Sequence, residues 1–156
     1  MDEQGFMRRA LELAVENVHA GKGGPFAALV VKNGGIVGQG TNVVTSTNDP
    51  TAHAEIVAIR DACTRLETFQ LDDCVIFTTC EPCPMCLGAI YWARPMRVFY
   101  AATREDAARA GFDDLFIYEE IARPVGERRI PMSRLRCEAE ELPFEAWRSF
   151  AERIEY

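Results

Sequence analysis

The chain has 156 residues, a length that suits one domain built around a single hydrophobic core. Its formal net charge of −7 argues against a nucleic-acid ligand, because binding to a polyphosphate depends on Lys and Arg side chains that neutralise phosphates. No apolar run is long enough to cross a bilayer, and the first residues lack the basic and then apolar pattern of a secretory signal. We therefore expect a cytoplasmic protein that acts on a small uncharged ligand, without nucleic-acid or membrane partners.

The first half of the chain predicts a helix, a hairpin and a second helix. Apolar residues near the start recur at helical spacing, which predicts an amphipathic helix. Two short apolar runs follow, at 26–32 and 36–42, and the turn residues 33–35 join them into a β-hairpin. A polar loop then leads to a helix over 51–66, with Thr51 as its N-cap. The predicted buried stripe of the first helix consists of Met7, Ala10, Leu11, Ala14, Val15 and Val18.

The second half predicts further strands and helices. Buried strands are expected at 75–77 and 97–101, with a helix between them. Thr103 is the expected N-cap of a helix over 105–110, and the segment 143–156 has a helical pattern rich in aromatic residues. Strands separated by helices after an opening hairpin predict an α/β sandwich whose sheet is partly antiparallel and partly parallel.

Two short segments carry the residues that predict chemistry. One is Pro50-Thr51-Ala52-His53-Ala54-Glu55, at the start of the second helix, and the other is Pro82-Cys83-Pro84-Met85-Cys86, at the start of the third. Cys83 and Cys86 are three residues apart, so they share one face once the helix begins. The positive end of the helix dipole also lowers the free-energy cost of ionising a thiol.

The residue types in these segments predict the ligands of a catalytic zinc site. One imidazole and two thiolates are one ligand short of a tetrahedron, and catalytic zinc sites keep that position for water. A nearby glutamate is the residue type that takes a proton from the water and passes it to a leaving amine. His-x-Glu together with Pro-Cys-x-x-Cys is the signature of the zinc-dependent deaminases. We therefore predict a deaminase with His53, Cys83 and Cys86 on one zinc ion and Glu55 as the catalytic acid and base.

The cysteine spacing also permits a remote alternative. Cys80, Cys83 and Cys86 have the spacing found in iron–sulfur ferredoxins, which need a fourth cysteine a few residues further on. Residues 87–95 contain no cysteine. An iron–sulfur electron-transfer module remains the remote alternative, whereas in the zinc interpretation Cys80 is a packing residue beside the site.

Beyond these motifs, the chain resembles the short bacterial guanine deaminases of the cytidine-deaminase-like superfamily. The resemblance rests on Gly24-Pro25-Phe26, on residues 50–55, on 80–95 (CEPCPMCLGAIYWARP), on 110–114 (AGFDD) and on the aromatic tail that ends the chain. It covers nearly the whole sequence. It implies a single domain, 1–156, with a three-layer α/β/α sandwich and a mixed sheet opened by an antiparallel hairpin. The implied reaction is the hydrolytic deamination of free guanine to xanthine and ammonia, in purine catabolism.

The resemblance also implies roles for residues around the metal. Asn42 would read the edge of the purine, and Phe26 would stack on the ring or flank it. The backbone N–H of Ala54 would hold the attacking oxygen. Asp114 matches a second carboxylate that assists proton transfer near the amine.

The same resemblance implies a homodimer. The C-terminal segment 143–156 would cover an active site, either that of its own chain or that of the partner. Trp92 and Tyr156 are the candidate walls of the base pocket. If the two chains exchange their C-terminal segments, an aromatic residue at the end of the chain would serve to exclude water from the site.

A transfer-RNA adenosine deaminase of the same superfamily is the main alternative. That type of enzyme resembles the chain at residues 49–55 and at Pro82-Cys83. It needs a basic surface and a C-terminal helix to hold an RNA hairpin. This chain is acidic and ends on Glu155 and Tyr156, which favours a free base as the substrate.

Overall fold

The computed structural model describes all 156 residues in two units, residues 1–115 and residues 116–156. The second unit is helical and irregular, and no helix of the chain has the length and apolar character needed to cross a membrane. Up to residue 109 the elements are α1 (Glu3–His19), β1 (Ala27–Lys32), β2 (Gly35–Thr41), α2 (Val44–Thr47), α3 (Ala54–Leu66), β3 (Val75–Cys80), α4 (Pro84–Ala93), β4 (Arg97–Ala102) and α5 (Arg104–Arg109). The remaining elements are α6 (Leu115–Ala122), a 3₁₀ turn (Val125–Glu127) and α7 (Leu142–Ser149).

The four strands form one mixed sheet in the order β2-β1-β3-β4. β1 is antiparallel to both β2 and β3, whereas β3 and β4 are parallel and are joined through α4. A bulge between Val30 and Val31 interrupts the register of the β1–β2 pair. The predicted mixed sheet with an opening hairpin is therefore confirmed.

Hydrophobic side chains cover both faces of this sheet. Because side chains alternate along a strand, Ala28 and Val30 of β1 join the cluster beneath α3 and α4, and Leu29 and Val31 join the cluster beneath α1. Helices thus pack on both faces, which confirms the predicted three-layer α/β/α sandwich.

Two glycines of β2 allow α3 to lie close to the sheet. A Cβ atom at Gly40 would collide with the carbonyl oxygen of Ala54, and one at Gly38 would lie 2.6 Å from the Cβ of Ala62. The first turn of α3 is therefore held directly against the sheet. That turn carries one half of the predicted zinc site.

The buried face of α1 differs from the prediction. Ala10 and Ala14 are buried as expected, but Leu11, Val15 and Val18 are exposed. The prediction had left out Phe6, Leu13 and the polar Asn17, which lie on the inward face of the helix. The buried residues recur at the same helical spacing and are Phe6, Ala10, Leu13, Ala14 and Asn17.

The ends of other elements also depart from the prediction. His53, and not Thr51, is the N-cap of α3. Thr51 instead donates to the Oδ1 of Asp49, from its backbone N–H at 2.8 Å and from its hydroxyl at 2.7 Å. The short helix α2 lies within the expected polar loop, and α7 ends at residue 149 instead of continuing to 156. Thr103 caps α5 as predicted, in a capping box with Asp106.

Candidate active site

The starts of α3 and α4 place the metal-ligand residues. His53 is the N-cap of α3 and Cys83 is the N-cap of α4, and both have extended backbone conformations that precede the helix. Pro84 occupies the first turn of α4, where its missing N–H would have no partner within the helix. Both helices pack on the same face of the sheet, and this brings their N-terminal ends together.

The donor atoms of His53, Cys83 and Cys86 fit one zinc ion. The Nδ1 of His53 lies 3.6 Å from the Sγ of Cys83 and 3.5 Å from the Sγ of Cys86, and all three donor atoms are within 4.8 Å of one another. Ordinary Zn–N and Zn–S bond lengths in a tetrahedron place nitrogen and sulfur about 3.6 Å apart. Two thiolates and one imidazole are also the donor types that zinc prefers.

Cys80 is not part of this group. Its thiol donates to the carbonyl oxygen of Thr103 at 3.6 Å, and burial raises the pKa of this thiol to about 11. The residue therefore packs between the end of β3 and the start of α5 as a neutral thiol. The arrangement favours the zinc interpretation over the iron–sulfur alternative, which needs Cys80 among the ligands.

The two ligand cysteines differ in acidity. The hydrogen bond from the Cys86 thiol to Cys83, with a contribution from the neighbouring His53, lowers the pKa of Cys83 to about 4. The same hydrogen bond and burial raise the pKa of Cys86. These contacts favour the ionised form of Cys83, and coordination to a divalent metal ionises cysteine thiols.

Glu55 lies in the first turn of α3, beside the ligand group. Its side chain is buried, at 7% exposure, and its Oε2 is 3.5 Å from the Sγ of Cys86. Burial raises the pKa of its carboxyl group. A carboxyl group with a raised pKa is suited to both accepting and releasing a proton near neutral pH.

A cavity of about 300 Å³ opens beside these residues and has apolar and polar walls. Its far wall includes Asp114, where burial and, to a smaller extent, the charge of Cys83 raise the pKa of the carboxyl group. Cys86 belongs to the adjoining ligand group. The predicted site residues that line the cavity are Phe26, Asn42, His53, Ala54, Glu55, Cys83 and Asp114.

The amide of Asn42 is oriented by its backbone neighbours. Its Oδ1 accepts from the backbone N–H of Gly24 at 3.4 Å and from that of Val44 at 3.3 Å. The amide nitrogen is therefore the atom available to the cavity, and it is a donor. Phe26 lines the cavity nearby, and Phe112 packs against it edge to face with ring centroids 5.0 Å apart.

The sequence prediction gave no site role to several residues that line the cavity, among them Arg104, Glu81 and Phe112. Arg104 donates to Glu81 through its backbone N–H at 3.2 Å and through its guanidinium group at 3.2 Å. This pair ties the loop that precedes Cys83 to the start of α5, and both side chains line the cavity. Phe112 is another of these cavity residues. The only signal for Phe112 was its place within the AGFDD segment. Arg104 and Glu81 had no signal, because no local spacing indicates an ion pair across 23 residues.

Trp92 does not line this cavity. It lies on α4 with 64% of its surface exposed, so its predicted role as a pocket wall is not realised within the single chain. The helical phase explains the difference, since the residues of α4 that face the core are Cys86, Ile90 and Ala93. Tyr156 belongs to the second unit, where its side chain is 71% exposed.

Comparison with known proteins places the chain in a family. The sequence model of the cytidine and deoxycytidylate deaminase zinc-binding region matches residues 1–102. The chain belongs to this family. The match spans both helix starts, so the ligand group described above lies within the family's zinc-binding region.

Individual members of the family are similar to the chain over different lengths. Guanine deaminase from Bacillus subtilis is 58% identical over 156 residues, which cover 100% of both chains. A crystal structure of guanine deaminase from Bacillus subtilis has a TM-score of 0.98 and 58% sequence identity, and the match covers 100% of this chain and 99% of that one. The transfer-RNA-specific adenosine deaminase of Aquifex aeolicus is 39% identical over 102 residues, 65% of this chain and 67% of that protein. The predicted resemblance to the short bacterial guanine deaminases is confirmed.

Proposed function

We infer that the chain is a zinc-dependent guanine deaminase that converts free guanine to xanthine and ammonia. The observation that carries this inference is a cavity of about 300 Å³ in which a His-Cys-Cys ligand group, a buried carboxylate, an amide donor and an aromatic ring face one small space. Similarity to a guanine deaminase extends over the whole chain, whereas the transfer-RNA deaminase of Aquifex aeolicus matches 65% of it. A free base is therefore the favoured substrate.

The reaction replaces one bond at the ring carbon that bears the exocyclic amine. His53, Cys83 and Cys86 would hold the zinc ion, which would supply a position for water and lower the pKa of that water. Glu55 takes a proton from the attacking water and gives it to the adjacent ring nitrogen as the C–O bond forms. Glu55 then transfers the second proton to the amine, the C–N bond breaks and ammonia leaves. Glu55 is buried, and its Oε2 lies 3.5 Å from the Sγ of Cys86, so its carboxyl group is beside the ligand group.

Other cavity residues bind and orient the base. Asn42 presents its amide N–H to the cavity, which suits an acceptor atom on the guanine edge. Phe26 flanks the ring, and the backbone N–H of Ala54, free at the first turn of α3, can donate to the attacking oxygen. Asp114 faces the same cavity, and its raised pKa suits a role in proton transfer to the departing amine.

A substrate panel with ammonia detection tests this function. Guanine, adenine, cytosine, cytidine, guanosine and a transfer-RNA anticodon hairpin are offered separately to the zinc-loaded protein. We expect ammonia from guanine at a rate far above that from the other compounds. Ammonia from the hairpin or from cytidine, and none from guanine, would contradict the proposal.

We further propose that the chain acts as a homodimer. None of residues 116–156 is buried, although this segment contains Phe144, Trp147, Phe150 and Tyr156. α4 and the residues after it also expose large apolar side chains, namely Leu87, Tyr91, Trp92 and Met96. Exposed apolar surface of this extent on a small protein is typical of an association site. In the proposed dimer the segment 143–156 of one chain covers the cavity of the other, with Tyr156 and the partner-facing Trp92 as its walls.

A complementation experiment tests the exchange. A Glu55→Gln chain of full length and a Glu55 chain that ends at residue 142 are each expected to be inactive. Mixed dimers should recover activity, because the intact tail of the first chain covers the intact site of the second. Mixed dimers that form, as shown by affinity tags on both chains, and yet stay inactive would show that each tail serves its own chain.

The proposed setting is the cytoplasm, in guanine catabolism. All six cysteines are unpaired, and the two that belong to the ligand group must be reduced in order to bind zinc. A reducing compartment meets this requirement. Mass spectrometry of the isolated native protein is expected to find free thiols at Cys63, Cys74 and Cys137.

A further inference from the structure

A buried asparagine of α1 reaches the loops that build the base-binding side of the cavity. Asn17 is 4% exposed and lies near the C-terminal end of the helix. Its amide nitrogen donates to the carbonyl oxygen of Gly24 at 3.0 Å and to the carbonyl oxygen of Asn42 at 2.8 Å. Both amide protons are thus used, one on each of two loops that are 18 residues apart in the sequence.

These two bonds fix the orientation of the Asn17 side chain. Carbonyl oxygens can only accept, so the amide nitrogen must face them and the amide oxygen must point away. That oxygen is buried and has no hydrogen-bond partner in the chain. A buried acceptor without a partner lowers the stability of the fold, so packing alone gives no physical reason for an amide at this position. The two donated bonds do give one.

The bonds complete the support around Asn42. The backbone N–H of Asn42 donates to Phe26 at 3.0 Å, and its side-chain oxygen accepts from the backbone of Gly24 and Val44. Its carbonyl oxygen is held by Asn17. Every polar atom of Asn42 except the amide nitrogen therefore has a partner within the chain, and that nitrogen is the one available to the cavity.

The loop after α1 approaches Asn42 very closely. A Cβ atom at Gly23 would collide with the carbonyl oxygen of Asn42, so only glycine allows this approach. Asn17 bridges the two backbone segments at the same point. Without its two donors, the Gly24 and Asn42 carbonyls would both lose their partner from α1.

We propose that Asn17 is a positioning residue that holds Asn42 in the orientation in which its amide N–H meets the purine base. The proposal rests on the proposed function, since it assigns Asn17 a role in guanine binding. If Asn42 spends less time in the competent orientation, the apparent affinity for the base falls in proportion to that fraction. Asn17 touches neither the ligand group nor Glu55, so the chemical step is not affected directly.

Two substitutions at this position test the proposal. Asn17→Ala removes both donors and introduces alanine, which favours the helical conformation of α1. Asn17→Asp keeps the shape of the side chain and replaces the donor by an oxygen that repels the two carbonyls. We expect KM for guanine to rise by about fivefold to twentyfold in both variants, with kcat within about twofold of wild type and zinc content unchanged.

Leu13→Ala is the matched control for a purely structural effect. Leu13 is buried on the same helix against the sheet and belongs to the cluster beneath α1. Its truncation is expected to lower the thermal midpoint at least as much as Asn17→Ala does, because it leaves a cavity in the core. KM for guanine should nevertheless stay at the wild-type value. A KM increase in Leu13→Ala equal to that in the Asn17 variants would overturn the proposal.

A double-mutant cycle shows whether Asn17 acts through Asn42. In an Asn42→Ala background, Asn17→Ala should change kcat/KM by less than about twofold, since the amide to be positioned is gone. If Asn17→Ala lowers kcat/KM by the same factor in the Asn42→Ala background as in the wild type, the proposal is overturned. If the wild type is active and both Asn17 variants have unchanged kinetics, this inference is refuted while the proposed function stands. A wild type without guanine deaminase activity would refute the proposed function and this inference with it.

Discussion

The side of the cavity that carries the metal ligands is buried or half-buried and rests on the sheet, whereas the opposite wall, formed by α5 and residues 111–114, is mostly exposed. On the ligand side, Glu55 and Cys86 are buried and α3 lies against the glycines of β2. On the opposite wall α5 has no buried residue. The contacts that join this wall to the rest of the cavity include the bonds from Arg104 to Glu81 and the edge contact between Phe26 and Phe112.

This difference separates two physical requirements. Metal ligands and a proton carrier must be held within a fraction of an ångström of their working positions, which calls for packed helices. A wall that encloses and releases a flat base can be less stable, because binding and release involve local opening. Substitutions on the ligand side should therefore change kcat or metal content. Substitutions on the opposite wall should mainly change KM, except at Asp114, which has a proposed role in proton transfer.

The largest effect is expected from a pair of cysteine substitutions three residues apart. Cys83→Ala removes a metal ligand, so zinc binding and activity should both fall to background. Cys80→Ala in the same segment removes only the thiol that donates to Thr103, and zinc content should remain at one ion per chain. Metal analysis and ammonia release on both proteins check this prediction. Zinc loss in Cys80→Ala and its retention in Cys83→Ala would reverse the assignment.

Glu55→Gln should have the next largest effect. The amide keeps the size of the side chain but cannot carry a proton, so kcat for guanine should fall by about 10²–10⁴-fold while zinc content stays the same. Steady-state kinetics together with metal analysis are the measurements. Loss of zinc would make Glu55 a ligand, and wild-type turnover would leave it without a catalytic role.

Asp114→Asn should have a moderate effect on kcat. Asp114 lies on the exposed wall but faces the same cavity as Glu55, and it assists proton transfer in the proposed reaction. We expect kcat to fall by about tenfold, because a second proton carrier contributes less than the principal one. Asp113→Asn is the control, since Asp113 lines the same cavity but its Oδ1 accepts from the backbone N–H of Leu115 at 2.9 Å. Equal effects at both positions would argue against a specific role for Asp114.

Arg104→Ala should have the smallest effect and should act on KM. The substitution removes the guanidinium contact to Glu81 and leaves the backbone bond of residue 104 in place. Because a partly exposed ion pair contributes about 0–1 kcal/mol, KM should rise by no more than about fivefold, with kcat unchanged. Arg109→Ala, on the same helix and outside the cavity, is the control. A fall in kcat without a change in KM would place Arg104 among the groups that act on the chemical step.

The ligand side could be predicted from the sequence because local spacing determines it. His53 and Glu55 are two residues apart at a helix start, and Cys83 and Cys86 are one helical turn apart, so their residue types and spacing together indicated zinc chemistry. The opposite wall was predicted only through family resemblance. The Glu81–Arg104 pair depends on how β3 and β4 bring their ends together, and no pattern along the chain reports that.

The inward face of α1 shows a second limit. Hydrophobic periodicity selected Leu11, Val15 and Val18, which are exposed, and passed over Asn17 because a polar residue counts against a buried position. The helix itself was predicted correctly, but its rotation depends on which side chains the sheet can accept. The bonds that Asn17 makes to Gly24 and Asn42 become visible only when the tertiary structure is known.

Three side chains from two helix starts are proposed to form one catalytic zinc site for guanine. Titration of zinc into metal-free protein, with conversion of guanine to xanthine measured after each addition, tests this proposal most directly. Activity should rise in proportion to added zinc and stop rising at one ion per chain. Full activity in the metal-free protein, or no guanine turnover at any zinc content, would contradict the account.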